Sequence, residues 1–205
     1  MIQSKALLKP VVFSLCLLPL AWMVYDGFTG GLGVNPIEAV THRTGDWTLR
    51  LLLATLTLTP LRRLSGWAWP LRLRRMVGLF AFFYACLHLL TYLWLDQFFA
   101  WGMILEDVVE RPFITLGMLA FLGLVPLALT STRGMQRRLG RRWKTLHRLV
   151  YPVAILGVLH FWWLVKADVR EPLVYALVLA VLLGVRLAGW WRRGAAARAR
   201  AGVST

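Results

Sequence analysis

Long apolar stretches alternate with short polar segments along the whole chain, and this alternation predicts its elements. A hydrocarbon core of about 30 Å takes roughly 20 helical residues to cross. The second stretch is the shortest and contains Arg50, but its run LLLATLTLTPL ends sharply at Arg62 and Arg63. The sequence predicts six transmembrane helices, at residues 7–25, 46–61, 76–95, 113–130, 147–165 and 172–191.

The composition is that of a membrane protein rather than a soluble domain. Hydrophobic residues make up 59% of the 205 residues, and the mean hydropathy is +0.62, both well above the usage of soluble domains. The segments between the predicted helices are too short to fold as separate domains. We therefore predict an all-α fold, a polytopic membrane bundle of about six helices. It forms a single domain over residues 1–205 with a basic tail at 192–205.

The charged residues separate into two sets between the predicted helices. Eighteen of the 24 Lys and Arg residues lie in the N-terminal segment, in segments 62–75 and 131–148, and after residue 191, whereas all nine acids lie in the other segments. Cytoplasmic segments carry the excess of Lys and Arg, so both termini are predicted in the cytoplasm. The net charge of +15 then reflects topology, with membrane lipid as a partner and no nucleic acid.

The N-terminal apolar stretch is expected to stay in the protein. It has a basic start, but LPLAWMVYDGF offers no small-x-small cleavage site, which favours a retained first helix over a removed signal peptide.

Histidines are the residues that can carry chemistry at membrane depth, where ionisable side chains are rare. His88 and His160 lie about 12 and about 13 residues from the cytoplasmic face, or roughly 18 to 20 Å. Two neutral imidazoles at one depth can supply both axial ligands of a haem iron. A hydrogen bond across helices is the alternative, and zinc or copper is disfavoured because no third ligand residue lies level with them. His42, in the first external segment, is expected to be structural or to contact a partner.

Two further residues are candidates for cofactor binding. His147 lies about 20 Å from His160 towards the cytoplasm, where the third helix offers Arg74 rather than a ligand. The sequence leaves His147 as part of a cytoplasmic-side cofactor or quinone site, or as an interfacial polar residue. Arg50, near the external end of the second helix, is expected to pair with a haem propionate or with Asp46, or to extend to the interface.

Three segments carry a family resemblance that covers nearly the whole chain. They are THRTGDWTLRLLLATLTLTPLRR, RRMVGLFAFFYACLHLLTY and RRWKTLHRLVYPVAILGVLHFWWLVK. Together they resemble the haem-binding membrane subunits of the bacterial periplasmic protein-methionine-sulfoxide reductase system, within the superfamily that has a ferric-reductase-like transmembrane domain. Members of that superfamily usually have two ligand histidines on each of two helices, whereas Arg74 stands at the cytoplasmic position of the third helix here.

The resemblance implies an electron-transfer subunit of an oxidoreductase complex rather than its catalytic subunit, and we predict no catalytic residue. It implies a bacterial inner-membrane location and an electron supply from quinone or a cytoplasmic flavin reductase. Haem b, once or twice per chain, and FMN are the implied cofactors. The implied acceptor is a periplasmic molybdopterin subunit that reduces oxidised methionine. Because no flavin or nicotinamide domain is evident, electrons are expected from a separate protein or a lipid-soluble carrier. The alternatives are a standalone ferric or quinone reductase and a non-redox metal transporter.

Overall fold

The computed structural model describes the backbone of residues 3–165 and 168–202 and the side chains of residues 7–165 and 168–192. The predicted tail is helical as far as Gly202. Lys5, Lys166 and the arginines after Arg192, which contribute to the charge pattern, lie outside the described side chains.

Helices make up most of this part of the chain, and no β-strand occurs in it. A π-helical turn (Thr91–Asp96) continues α3, and a 3₁₀ turn (His147–Leu149) precedes α8. Every predicted apolar stretch coincides with a helix, whereas α4, α6 and α7 are additional short helices that were not predicted. The α-helices are α1 (Gln3–Thr29), α2 (Pro36–Ser65), α3 (Trp69–Leu90), α4 (Trp101–Glu110), α5 (Pro112–Leu129), α6 (Arg133–Leu139), α7 (Arg141–Leu146), α8 (Val150–Leu164) and α9 (Arg170–Gly202).

Among the residues that the structure describes, four helical segments are long and apolar enough to cross a membrane. α2 is long but is interrupted by Asp46 and Arg50, and α8 has only 15 residues. The predicted all-α membrane fold is therefore confirmed, while the count of six spans stays a prediction. The four segments are Leu7–Thr29, Trp69–Asp96, Pro112–Leu129 and Arg170–Arg192.

α2 begins ten residues before the predicted stretch because its N-terminus is capped. The Asn35 side chain accepts a hydrogen bond from the backbone N–H of Glu38 (3.3 Å) and donates one to the Glu38 carboxylate (3.0 Å). Pro36 occupies the first helical turn, where its missing N–H costs nothing. The additional turns of α2 contain Thr41 and Gly45, which contact the third helix at the candidate site.

Two helix pairs, α2 with α3 and α5 with α8, form the centre of the bundle, and α9 packs on α2 and α8. Small residues allow this close packing. Ala81 and Ala154 are fully buried, and a Cβ at Gly123 would come within 2.5 Å of Val153 Cγ2. Small residues at helix contacts are typical of membrane bundles, because they let backbones approach closely.

A tyrosine hydroxyl on α3 forms hydrogen bonds with the backbone of α1. Tyr84 is fully buried, and its hydroxyl donates to the Cys16 carbonyl oxygen (2.8 Å) and accepts from the Leu20 backbone N–H (3.1 Å). Cys16 and Leu20 are four residues apart, so the hydroxyl bridges two groups that an uninterrupted helix would pair directly. Tyr84 lies one turn before His88, and this contact therefore fixes the rotation of α3 where the histidine projects.

The two ends of the bundle differ in charge. We call the end that carries the α2–α3 connection, α6 and α7 the basic end, and the opposite end the acidic end. The ion pairs within the described ranges all use carboxylates of the acidic end. They are Asp26–Arg43, Asp46–Arg50, Asp107–Arg111 and Asp168–Arg170, and the His42 imidazole lies 3.8 Å from the Glu38 carboxylate at the same end.

Candidate cofactor site

Two histidines from different helices meet inside the bundle. The ring centroids of His88 on α3 and His160 on α8 are 6.0 Å apart, and the ring planes make an angle of 78°. Both rings line a cavity of about 350 Å³ between α2, α3, α5 and α8. The structure thus brings together the two histidines that the sequence puts at one depth.

A backbone carbonyl holds each imidazole. His88 Nδ1–H donates to the carbonyl oxygen of Thr41 on α2 (2.9 Å), and His160 Nδ1–H donates to that of Phe113 on α5 (2.6 Å). Because a carbonyl oxygen only accepts, Nδ1 carries the proton of each neutral ring and Nε2 keeps its lone pair. Neither Nε2 has a hydrogen-bond partner in the part of the chain that the structure describes. This is the tautomer and support that metal-ligating histidines use.

A glycine lies against each ring, one helical turn after the carbonyl residue. A Cβ at Gly45 would lie 3.1 Å from His88 Cε1, and a Cβ at Gly117 would lie 2.9 Å from His160 Cε1. Any side chain at these positions would press the imidazole away from its carbonyl. The two arrangements also have the same spacing, since each carbonyl residue precedes its histidine by 47 positions. We call them the histidine clamps, Thr41 with Gly45 for His88 and Phe113 with Gly117 for His160.

The separation of the two rings matches that of two axial ligands on one iron. When two imidazoles bind one metal from opposite sides, each metal–nitrogen bond is about 2 Å long. Each ring centre lies roughly 1 Å beyond its nitrogen, so the two centroids are about 6 Å apart. The observed separation is 6.0 Å. No group of three or more His, Cys, Asp or Glu that could hold a metal ion occurs among the described residues. The site therefore fits an iron macrocycle with two axial positions better than a metal ion held by protein ligands alone.

The cavity combines apolar walls with a charged mouth at the acidic end. A cavity divided in this way suits a ligand that has an apolar ring system and a polar edge. The walls include the buried Leu49, Leu52, Leu124 and Val153, and the mouth includes His42, Asp46, Asp96 and Arg111.

Two arginines at the acidic end differ in their relation to the cavity. Arg50 is not among the lining residues, because its Nε donates to the Tyr175 hydroxyl (2.9 Å) and its Nη2 lies 3.4 Å from the Asp46 carboxylate. Arg111 does line the cavity and pairs with Asp107 at 3.1 Å. Sequence reasoning missed Arg111 because one cation in an external segment is unremarkable. Its position just before α5 is the signal that would have found it.

His147 lies near the basic end, apart from the cavity. Its Nδ1–H donates to the Trp143 carbonyl oxygen (3.2 Å), and the two rings stack with centroids 3.9 Å apart. Its Nε2 is buried and has no hydrogen-bond partner among the residues described. The cavity does not extend to this nitrogen, and the role of His147 in a second site stays a prediction.

An all-helical membrane bundle that presents paired histidines across its interior is the arrangement of a ferric-reductase-like transmembrane component. Residues 44–158 match the family described as ferric reductase like transmembrane component, a range that contains His88 and both clamp glycines.

Curated relatives define the group within that family. Each has the name protein-methionine-sulfoxide reductase heme-binding subunit MsrQ. The Rhodospirillum rubrum protein is 61% identical over 189 residues, which cover 92% of this chain and 91% of that protein. The Herminiimonas arsenicoxydans protein is 53% identical over 201 residues, which cover 97% of this chain and 92% of the relative. The chain belongs to the MsrQ family.

Proposed function

We propose that this chain is a transmembrane electron-transfer subunit that holds haem b between His88 and His160. The histidine clamps carry this proposal, because they bind both Nδ1 atoms and leave both Nε2 atoms available in one cavity. The relatives are named as heme-binding subunits of protein-methionine-sulfoxide reductase. The fit of the histidine pair is the reason to extend that property to this chain.

His88 and His160 would be the axial ligands. A haem bound by two histidines supplies one-electron transfer, since neither axial position is open to a substrate. The clamp carbonyls orient both rings and increase their basicity as ligands. Buried side chains such as Leu52 and Leu124 keep water from the pair.

We propose that the acidic end faces the periplasm and the basic end the cytoplasm of the bacterial inner membrane. The charge distribution supports this orientation. The proposed acceptor is a periplasmic molybdopterin-containing subunit that reduces methionine sulfoxide in proteins, and the cavity mouth at the acidic end would lie near it. The proposed donor is quinone or a cytoplasmic flavin reductase. We also propose His147, near the basic end, as the residue that would hold a second cofactor, either another haem or FMN.

Arg111 is the first candidate for a haem propionate, because it lines the cavity mouth. Arg50 stays a second candidate. Its partner Asp46 lines the same mouth, so a rotation of the Arg50 side chain away from Tyr175 would bring the guanidinium closer.

Absorption spectra of the detergent-purified protein, oxidised and dithionite-reduced, test the proposal together with a pyridine-haemochrome count per chain. We expect a low-spin b-type spectrum that is lost in His88→Ala and in His160→Ala but kept in His42→Ala. Full low-spin spectra in both of the first two variants would contradict the assignment. A count near two that falls to one in His147→Ala would identify the second haem site.

A further inference from the structure

An arginine inside the bundle has a buried nitrogen that donates to no acceptor among the described residues. Arg186 projects from α9, where its Nη2 donates to the Leu56 carbonyl oxygen (2.7 Å) and its Cζ lies 5.0 Å from the centre of the Tyr151 ring. Its Nη1 is buried and has no hydrogen-bond partner in the described ranges. A buried guanidinium N–H without an acceptor is costly, and an anionic oxygen is the partner it binds most strongly.

Two more arginines lie at the same end of the bundle. Arg63 lies two turns after Leu56 on α2, whose carbonyl oxygen accepts the Arg186 hydrogen bond, and Arg74 lies near the start of α3. None of the three forms an ion pair with the carboxylates that the structure describes, whose pairs all lie at the acidic end. Three cations from three helices therefore give the basic end an excess of positive charge. The Thr59 hydroxyl, one turn before Arg63, is also buried and unpartnered among the described atoms.

We propose that Arg63, Arg74 and Arg186 bind the phosphate of an anionic phospholipid from the leaflet at the basic end. Arg186 lies six residues before the end of the apolar segment of α9, or about 9 Å along the helix, which is within reach of the headgroup level. Beyond it, Trp190 and Trp191 are exposed, as expected for rings at the membrane interface. Basic pockets between membrane helices on this side bind acidic headgroups. The bound phosphate would complete the hydrogen bonds of Arg186 and neutralise the cluster.

The full-length protein in nanodiscs provides the test. Protein reconstituted in phosphatidylcholine with phosphatidylglycerol is repurified in detergent, and the retained phosphatidylglycerol is measured by mass spectrometry. We expect retention by the unmodified protein and about tenfold weaker retention in Arg186→Gln, which loses a charge-assisted hydrogen bond. Arg74→Gln should weaken retention similarly. Arg72→Gln is the matched control, because Arg72 is exposed on the same helix outside the cluster.

Two further measurements separate the sources of phosphate and the two sites. Inorganic phosphate and FMN are added as soluble competitors, and neither should displace the phosphatidylglycerol. Displacement by either one, or equal retention in Arg186→Gln and Arg72→Gln, would overturn the lipid assignment. The low-spin spectrum of the haem proposed at His88 and His160 should be the same in all these variants, so the result is independent of that histidine pair. If Arg186→Gln does not fold, Arg63→Gln and Arg74→Gln decide the question in its place.

Discussion

The glycine beside His160 provides the sharpest test of the clamp geometry. In Gly117→Ala the new methyl would lie 2.9 Å from both Cε1 and Nδ1 of the imidazole, whereas contacting carbon atoms stay about 3.5–4 Å apart. Either the ring or α5 must therefore move by roughly 0.6 Å or more. Overpacking of this kind costs about 1–3 kcal/mol. The movement also lengthens the 2.6 Å hydrogen bond from His160 Nδ1 to the Phe113 carbonyl oxygen.

The expected result is weaker haem binding with a changed reduction potential. Loss of the partner that supports a ligating histidine lowers metal affinity about 10–100-fold, so Gly117→Ala should bind haem more weakly by that order. Haem titration into the haem-free protein measures the affinity, and a redox titration measures the potential. Gly45→Ala should act in the same direction but less, because its methyl would lie 3.1 Å from His88 Cε1.

Gly184→Ala is the matched control for these variants. Gly184 lies inside α9, and outside the backbone of that helix no described atom lies within 4 Å of a Cβ built there. Alanine is favoured over glycine in a helix by about 1 kcal/mol, so this variant should keep its haem and its stability. Unchanged haem affinity and reduction potential in Gly117→Ala would contradict the proposed clamp, since the imidazole would then not be in close contact with the glycine.

Two other changes test contacts around the site. Tyr84→Phe removes the hydroxyl between α1 and α3 and should lower the free energy of unfolding by about 1–2 kcal/mol. Thermal unfolding in detergent measures this change, and an unchanged unfolding midpoint would contradict the role of the hydroxyl in connecting the two helices. Arg111→Gln removes a positive charge from the cavity mouth and should make the haem potential more negative, because the oxidised form is stabilised. Arg50→Gln should shift the potential less in the same redox titration, and a larger shift in Arg50→Gln would favour Arg50 as the propionate partner.

The meeting of His88 and His160 could be predicted because the rise of a helix converts residue number into depth. Apolar runs bounded by arginines gave the ends from which that depth was counted. Depth along a helix does not show which helices touch, and it therefore does not distinguish Arg50 from Arg111. Arg50 lies at a suitable depth, but its helix face presents it to Tyr175 on α9 rather than to the cavity.

The clamps could not be predicted because their essential atoms carry no residue identity. A carbonyl acceptor is present at every position, so Thr41 and Phe113 are not distinguished by their side chains. Gly45 and Gly117 are visible in the sequence, but glycine is frequent in membrane helices. The two clamps share a separation of 47 residues from the carbonyl residue to its histidine. This shared spacing can be recognised in the sequence only after both hydrogen bonds are known.

The clamps also determine how a ligand would act on the fold. His88 is held by α2, its own packing partner, and His160 is held by α5, its own packing partner, so each helix pair orients one histidine by itself. Contacts between the two pairs are much sparser than contacts within them. The least constrained quantity is therefore the distance between the pairs, and a haem iron bound to both Nε2 atoms would fix that distance. Binding would stabilise the folded bundle by about 4 kcal/mol at a thousand-fold excess over the dissociation constant. The cofactor is accordingly expected to hold the two halves of the bundle together as well as to accept electrons.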